Sequence, residues 1–309
     1  MRLIKPSFSI WDQQEGLEGV YKQIERAGRV CYKSEDKITE NSAKEFVDRM
    51  IKSGHGAMLE HGTVYLKIPY GTMDDRGEFS NEPIVIKYID NPYSVVMNNS
   101  ENDYWYITSN YRVIIENEWI DDLQYLCEPT EFHAKRITVH FVCDRGVSHE
   151  FVRHRVMSFA QESTRYCNYS KDKFGNELTF ILPPWVDERQ LGEQNSQELL
   201  IQIGSLSNPT YTQEDLNELY FLFSLASSEV QYFNLINNGW KPQQARAVLP
   251  NSLKTELVVT GFASDWEHFF ELRDAGSAHP QARELAHPLH MEFLRRNYLV
   301  DLYDEANPD

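Results

Sequence analysis

Apolar residues occupy every second position in residues 62–69 and again in residues 136–143. This two-residue period is typical of a β-strand with one buried face. A further strand is expected near residues 253–262. Strands and helices are mixed without a regular βαβ repeat, so we predict an α/β fold with a central, mostly antiparallel sheet flanked by helices.

The helical period of apolar residues predicts the longest helix over residues 214–238, ended by Gly239. Its core-facing stripe is expected at Leu216, Leu219, Phe223, Ala226, Val230 and Phe233. Shorter helices are predicted from a cap at Ser148 to about residue 155, from Pro242, from a cap at Ser264, and over residues 280–297. Residues 156–166 are expected to form a loop or an irregular strand.

Residues 70–134 are polar and rich in turn-forming residues, which predicts an inserted, partly ordered segment. The acidic tail over residues 301–309 is expected to fray. We therefore interpret residues 1–309 as one domain with an insertion at about residues 70–134.

Composition limits the classes of function that the chain can have. Its 309 residues are 41% hydrophobic, which is enough for a sizeable core. No stretch approaches the about eighteen apolar residues of a membrane span, and residues 1–6 lack the apolar run of a signal peptide, so we expect a cytoplasmic protein without a membrane partner. The formal net charge of −17 argues against general binding to nucleic acid, which needs many exposed Lys and Arg residues.

The four cysteines are Cys31, Cys127, Cys143 and Cys167, and no two of them form a Cys-x-x-Cys pair. This spacing argues against a zinc ribbon, a thioredoxin-type motif and a disulfide framework. We interpret the four as small buried hydrophobic residues.

Positive charge is nevertheless concentrated between residues 145 and 165. The cluster consists of Arg145, Arg153, Arg155, Arg165, His149 and His154, against only Glu150 and Glu162. Within it, Ser163-Thr164-Arg165 provides two hydroxyls and a guanidinium, a combination suited to a phosphate. A single arginine at a helix end is about as often solvated or paired with a carboxylate, but the joint pattern indicates an anion site.

The arrangement Arg153-His154-Arg155, seven residues, then Ser163 resembles the Arg-His-Arg-x7-Ser signature of flavin-dependent thymidylate synthases. Residues 148–152 and 161–166 look like the longer bacterial and phage members. Further segments agree with the family in order and spacing: Gly54-His55 with Glu60-His61, residues 244–250, and Leu272-Arg273 with residues 278–281. The resemblance covers roughly residues 20–68 and 136–295, whereas residues 70–134 have no counterpart in the shorter members.

The resemblance implies the fold of that family and the reductive methylation of dUMP to dTMP. FAD would be the redox cofactor, with NADPH as reductant and 5,10-methylenetetrahydrofolate as carbon donor. It also implies a homotetramer with sites between subunits. No cysteine nucleophile is implied, and none of the four cysteines follows a proline as in the Pro-Cys motif of the unrelated cysteine-dependent enzymes.

The resemblance also assigns individual residues. Those implied to contact FAD are His55, Arg153, His154, Arg155, Gln161, His268 and His279. Those implied to contact dUMP are Glu150, Arg153, Gln161, Glu162, Ser163, Thr164, Arg165, Arg246 and Arg273, with Arg246 reaching in from a neighbouring subunit. Some members carry Gln and Glu at the positions of Glu150 and Gln161, and shorter members carry Asn at the position of His268.

Arg273 is the expected catalytic residue. Attack by uracil C5 on a one-carbon unit moves negative charge onto N3 and the carbonyl oxygens of the ring. A guanidinium keeps its charge in a dry site and can donate two parallel hydrogen bonds to the pyrimidine edge. Taken alone, this arginine could equally form a surface ion pair with Glu271 or Asp274.

The alternatives are a zinc-dependent hydrolase and a non-enzymatic nucleotide-binding module. His149 and His154 lie five residues apart, roughly 140° around a helix, so one ion cannot easily bind both. His287 and His290 share a face, but Pro288 lies between them and a third ligand is lacking nearby. A Rossmann dehydrogenase is disfavoured because Leu59 stands where the third glycine after Gly54 and Gly56 is required. No metal site is predicted.

Overall fold

The computed structural model describes residues 1–99, 102–171, 174–203 and 212–299. The predicted fraying of residues 301–309 lies outside the described residues. The strands are β1 (Arg2–Ile4), β2 (Ser7–Trp11), β3 (Thr63–Pro69), β4 (Val95–Asn99), β5 (Tyr104–Asn110), β6 (Arg136–Asp144), β7 (Ser158–Gln161), β8 (Thr179–Ile181), β9 (Gly192–Glu193) and β10 (Lys254–Phe262). The helices are α1 (Gly16–Tyr32), α2 (Ser42–Lys52), α3 (Gly56–Leu59), α4 (Glu82–Ile89), α5 (Tyr111–Glu116), α6 (Arg145–Phe151), α7 (Ser196–Ile203), α8 (Gln213–Asn237), α9 (Pro242–Ala245), α10 (Ala263–Arg273) and α11 (Pro280–Arg295).

The central sheet has four antiparallel strands in the order β2-β6-β10-β7. β6 and β10 pair over nine residues, from Lys254 opposite Asp144 to Phe262 opposite Arg136. Both strands follow the predicted positions, and β3 falls within the predicted residues 62–69. The predicted α/β architecture, with an antiparallel sheet flanked by helices, is confirmed.

The two faces of the central sheet are covered by different helices because side chains along a strand alternate between the faces. Leu257 and Val259 of β10 belong to a core with Phe151 of α6, Phe269 of α10 and Leu289 of α11. The opposite face, including Val258, packs against Ala27 and Val30 of α1. The ends of α6 and α10 therefore lie over the same face of the sheet.

Two smaller sheets lie beside the central one. β3, β5 and β4 form an antiparallel sheet whose core includes residues of α1, α2 and α4. β8, β1 and β9 form a mixed sheet that shares a core with α8. β4 and β5 come from the segment predicted as an insertion, and β5 pairs with β3 over seven residues, so this segment is integrated into a sheet.

Two predicted helix caps are wrong. Asp144 caps α6, because its Oδ1 accepts a hydrogen bond from Val147 N at 2.8 Å, and Ser148 lies inside the helix, which ends at Phe151. α10 begins at Ala263, and Asp265 Oδ2 accepts a hydrogen bond from Phe262 N at 2.8 Å, so Ser264 lies within the first turn. In both cases, a neighbouring carboxylate binds the free backbone N–H in place of the predicted serine.

The long helix was predicted at the right place but with the wrong buried face. α8 ends before Asn238 and Gly239, as expected. Its buried residues are Leu222, Leu225, Ala226, Ser228, Glu229 and Tyr232, whereas most of the predicted stripe is only half-buried. The buried face includes Glu229 because its Oε1 accepts a hydrogen bond from Leu178 N at 2.8 Å.

The four cysteines differ in their burial. Cys143 and Cys167 are buried as predicted, whereas Cys31 and Cys127 are only partly buried. Within the described part of the chain, no helix is both long enough and apolar enough to span a bilayer.

Candidate functional site

The end of α6 brings the charged cluster to the face of the sheet that α10 covers. β6 leads directly into α6 through the cap at Asp144. The last turn of the helix carries Glu150, and the chain continues through Arg153 to Arg155 before β7 begins at Ser158. The Arg-His-Arg segment is therefore a short connection between a helix end and a strand of the central sheet.

Arg273, the last residue of α10, contacts this connection. Its Nη1 donates to Glu150 Oε2 at 3.0 Å, its Nη2 to the Glu150 carbonyl oxygen at 2.9 Å, and its Nε to His154 Nε2 at 3.1 Å. A guanidinium has five N–H groups, so one N–H on each of Nη1 and Nη2 is left over. The structure thus joins two sequence segments more than a hundred residues apart around one fixed guanidinium.

His154 is neutral in this arrangement. Burial and then the charges of Arg273 and His268 lower the pKa of His154 to about 4. Its ring lies 5.0 Å from the Phe269 ring and 5.7 Å from the His268 ring, measured between centroids. A neutral imidazole can accept the hydrogen bond from Arg273 Nε, whereas a protonated one could only donate.

Arg153 and Arg155 are exposed, and within the described residues neither has a carboxylate at ion-pair distance. Arg155 lines a cavity of about 540 Å³ together with Met157 and Ser158. Arg136 lies between this cavity and a second one of about 520 Å³ that the arginine signature does not line.

Residues Ser163, Thr164 and Arg165 form a turn after β7. Ser163 N donates to the Cys31 carbonyl oxygen at 3.0 Å, which attaches the turn to the end of α1. Arg165 is exposed and donates through Nη2 to its neighbour Tyr166 at 2.8 Å. Arg246 lies 3.4 Å from Thr164 Oγ1 in the same chain, so a single subunit already places this arginine beside the turn.

The Glu162 carboxylate, which the resemblance implies to contact dUMP, has its hydrogen-bond partners within the chain. The residue is 2% exposed. Its carboxylate accepts hydrogen bonds from Lys254 Nζ at 2.9 Å and from Tyr169 OH at 3.0 Å. The physical reason is the pairing of β7 with β10, because the hydrogen bond from Glu162 N to the Glu256 carbonyl oxygen turns the side chain inward. The side-chain amide of Gln161 also has a partner within the chain, since its Nε2 donates a hydrogen bond to Ser148 Oγ at 2.8 Å.

Lys254 belongs to a partly buried ionic network that sequence reasoning missed. Its Nζ lies 2.5 Å from Glu256 Oε1, which also binds Lys33 at 2.9 Å, and Glu256 Oε2 contacts His140 at 2.9 Å. Burial alone would raise the pKa of Glu256, but the His140 hydrogen bond and the two lysine charges outweigh it and hold that pKa well below its usual value. The available signal was the two-residue spacing of Lys254 and Glu256 along a central strand, which places both on one face.

The three predicted flavin-contacting histidines outside the signature are exposed. His55 lies at the start of α3, next to Gly56. His268 approaches His154 and also contacts Glu271 at 3.1 Å. His279 precedes α11, and its ring lies 5.9 Å from the ring of the exposed Trp185. Of the three, the structure brings only His268 into the cluster around Arg273.

The histidines that suggested a zinc site have other partners. His287 and His290 both contact Asp274, at 3.0 Å and 2.9 Å. Among the residues that the structure describes, no group of three or more His, Cys, Asp or Glu side chains is placed to hold a metal ion.

Comparison with known proteins gives a family match and several relatives. The family model described as Thymidylate synthase complementing protein matches residues 86–296. The flavin-dependent thymidylate synthase of Mycobacterium avium is 34% identical over 152 residues, which are 49% of this chain and 53% of that protein. The enzyme of the same name from Corynebacterium aurimucosum is 25% identical over 279 residues, covering 89% of this chain and 76% of that protein.

Other similarities are weaker or shorter. The flavin-dependent thymidylate synthase of Pyrococcus furiosus is 26% identical over 155 residues, or 50% of this chain and 52% of that protein. The chain therefore spans about half the length of the Mycobacterium and Pyrococcus relatives. A solved UMP/dUMP methylase from Streptomyces cacaoi aligns over 96% of this chain and 93% of its own at 16% identity, with a TM-score of 0.39, which is too low to bear on function.

Proposed function

Because the chain belongs to the thymidylate synthase complementing protein family, we propose that it is a flavin-dependent thymidylate synthase that methylates dUMP to dTMP. The observation that carries the proposal is the convergence of Arg273 on Glu150 and His154 at about 3 Å. Relatives named for this activity, one of them aligned over 89% of the chain, support it. The carbon donor is proposed to be 5,10-methylenetetrahydrofolate.

Arg273 is the proposed catalytic residue. Glu150 and His154 fix its guanidinium from one side, and the two remaining N–H groups, one on each Nη, can reach a pyrimidine edge. Negative charge that develops on N3 and the carbonyl oxygens of uracil would meet donors that are already oriented, so little reorganisation is needed. Glu150 is therefore proposed to act on dUMP chiefly through Arg273.

The turn at Ser163, Thr164 and Arg165 is the proposed phosphate site of dUMP. Two hydroxyls and the guanidinium of Arg165 are suited to a dianion. Arg246 contacts Thr164 at 3.4 Å and adds a second positive charge beside the turn. Glu162 and Gln161 are proposed to position this turn, since both side chains form hydrogen bonds within the chain.

The residues around Arg155 fit a flavin cofactor. The cavity of about 540 Å³ has the volume range of a cofactor site, and Arg155 at its wall lacks a carboxylate partner among the described residues. Bound FAD would supply the hydride chemistry, with NADPH as the proposed source of electrons. The protein's part is to hold flavin and uracil together, with Arg153, Arg155 and His154 at the flavin and with His55, His268 and His279 as further proposed contacts.

Several exposed apolar side chains are neighbours of the site residues. Val156 follows Arg155 and is 70% exposed, Tyr166 follows Arg165 and is 56% exposed, and Leu272 precedes Arg273. Exposed apolar surface of this kind is typical of a protein interface. It supports the proposal of a homotetramer with its sites between subunits.

The proposal is tested with the purified full chain. We expect a yellow protein that loses its visible flavin absorption with NADPH and forms dTMP from dUMP and 5,10-methylenetetrahydrofolate. A folded protein that contains no flavin, takes up none and leaves dUMP unchanged would overturn the proposal. A colourless protein that contains zinc would favour a hydrolase, and a colourless protein that only binds nucleotide would favour a binding module.

A further inference from the structure

The cavity beside Arg155 has a second wall that comes from the segment predicted as an insertion. One wall consists of signature residues, from Arg155 to Ser158. The lining also includes Tyr93, Asn110, Arg112 and Glu116, all of which lie within residues 70–134. The resemblance to shorter family members assigns no function to this segment, yet it encloses the cavity proposed for the flavin.

This second wall is held firmly by the sheet beneath it. β5 pairs with β3 over seven residues, and Asn110 at its end caps α5 by accepting a hydrogen bond from Val113 N at 3.2 Å. Ser94 Oγ lies 2.8 Å from Ser109 Oγ, which attaches the turn that carries Tyr93 to the same strand. Tyr93 and Arg112 are therefore presented to the cavity from a fixed support.

The wall is also in direct contact with the segment of His55. A side chain at Gly56 would come within 2.9 Å of Glu116 Oε1 and 3.1 Å of Arg112 Nε. The Arg112–Glu116 pair, at 2.7 Å, thus packs on the backbone of the residue after His55. The two parts of the proposed cofactor site share this contact.

The chemistry of the wall suits a nucleoside. Arg112 Nη1 binds Glu60 Oε1 at 2.6 Å while its Nε binds Glu116, so one arginine orients two carboxylates at the cavity. Carboxylates are the usual acceptors for ribose hydroxyls in dinucleotide sites. Tyr93 is 61% exposed and offers an aromatic face on which a base can stack. Arg155 lines the same cavity and suits the intervening diphosphate.

We infer that Tyr93, Arg112 and Glu116 receive the adenosine half of FAD, so that the inserted segment is a cofactor-binding element. This inference rests on the proposed function, because it requires that the cavity holds a flavin. It goes further by predicting that the chain distinguishes FAD from FMN through residues 91–117. The riboflavin half lies on the side of the signature residues and does not depend on this wall.

The inference is tested by flavin binding to the full chain after its flavin has been removed. Dissociation constants for FAD, FMN and riboflavin are measured by flavin fluorescence for the native chain, Tyr93→Ala, Arg112→Gln and the control Arg76→Gln. Arg76 is exposed in the same segment and does not line the cavity. We expect Tyr93→Ala and Arg112→Gln to weaken FAD binding about tenfold, with FMN and riboflavin unchanged and the control like the native chain.

Two results would overturn the inference. The first is FAD binding by Tyr93→Ala as tight as in the native chain; this exposed substitution should not disturb folding. The second is an equal loss of FAD, FMN and riboflavin binding, which indicates a purely structural role for the wall. If the native chain binds FAD and forms dTMP while the variants bind FAD normally, the inference fails and the proposed function stands. If the native chain binds no flavin, both fail.

Discussion

The arginines of the candidate site form two groups that differ in their partners. Arg273 is held by Glu150 and His154, and three of its N–H groups are already bonded within the chain. Arg153, Arg155 and Arg165, which we call the unpaired arginines, are exposed and have no carboxylate at ion-pair distance among the described residues.

The difference suggests a division of work. A group that stabilises charge during a reaction gains from being fixed in advance, because it then needs no reorganisation. A group that binds a phosphate gains from having no internal partner, because it then has no ion pair to break when the ligand arrives. Arg273 meets the first requirement, and the unpaired arginines meet the second.

The largest expected effect is on turnover in Arg273→Ala. Loss of one oriented donor to a developing anion typically lowers kcat about 100- to 1000-fold, and here a full positive charge is lost as well. Flavin content should stay at the native level. The rate of dTMP formation and the flavin absorption of the same sample provide the measurement.

Arg295→Ala is the matched control, since Arg295 is exposed on α11 and paired there with Glu292. It should leave turnover unchanged. Native turnover in Arg273→Ala would remove the catalytic assignment and with it the contrast between the two groups.

The next effect is on stability, in Lys254→Met. Glu162 would then remain buried without its cation, which costs about 3–5 kcal/mol in the free energy of unfolding. Removing the charge as well, in the double variant Glu162→Gln with Lys254→Met, should recover most of this loss. Arg155→Ala should change the free energy of unfolding by less than about 0.5 kcal/mol, because this exposed side chain has no ion pair to lose among the described residues.

Urea unfolding of the four proteins decides this point. A double variant no more stable than Lys254→Met would show that Glu162 is not the group that needs the lysine. A large destabilisation of Arg155→Ala would show that an arginine described as unpaired is structural.

A smaller effect is expected on substrate affinity in Arg165→Ala. Loss of a charge-assisted hydrogen bond to phosphate costs about 1.5–3 kcal/mol, which corresponds to a KM for dUMP raised roughly 10- to 100-fold. The value of kcat should change little, because the contact is the same before and during the reaction. Steady-state rates over a range of dUMP concentrations test this, and an unchanged KM would mean that the phosphate binds elsewhere.

The sequence predicted the regular parts of this fold because their signals are local. The two-residue alternation of apolar side chains predicted β3 and β6 at nearly the right positions, and the helical period of apolar side chains did the same for α8. Local patterns could not choose between two nearby capping residues, as at Asp144 and Ser148, since either can accept the backbone N–H. They also misplaced the buried face of α8, whose apolar residues lie on several sides of the helix.

The parts of the site that depend on distant pairing were harder to predict. The resemblance assigned Glu150, His154 and Arg273 to the substrate and cofactor site, and in the structure Arg273 contacts the other two. The inward turn of Glu162 follows from the register of β7 with β10, which no local pattern reveals. β5 was hidden in a polar stretch because Thr108, Ser109 and Asn110 are buried polar residues with hydrogen-bond partners of their own.

The last expected effect concerns the pH dependence of stability. The pKa of His154 is lowered to about 4 in the folded chain, whereas an unfolded histidine titrates near 6.5. Between these values the unfolded chain binds a proton that the folded chain does not, so the free energy of unfolding decreases as the pH falls from about 6.5 to about 4. One proton contributes at most about 1.4 kcal/mol per pH unit.

His154→Gln removes this titration while keeping an acceptor for Arg273 Nε. Its free energy of unfolding, measured in urea at intervals between pH 6.5 and pH 4, should therefore fall less steeply than that of the native chain. His149→Gln is the control because His149 is exposed on α6, which precedes the connection that carries His154, and it should keep the native slope. If His154→Gln also kept the native slope, His154 would not be held neutral, and Arg273 would lack the fixed acceptor that separates it from the unpaired arginines.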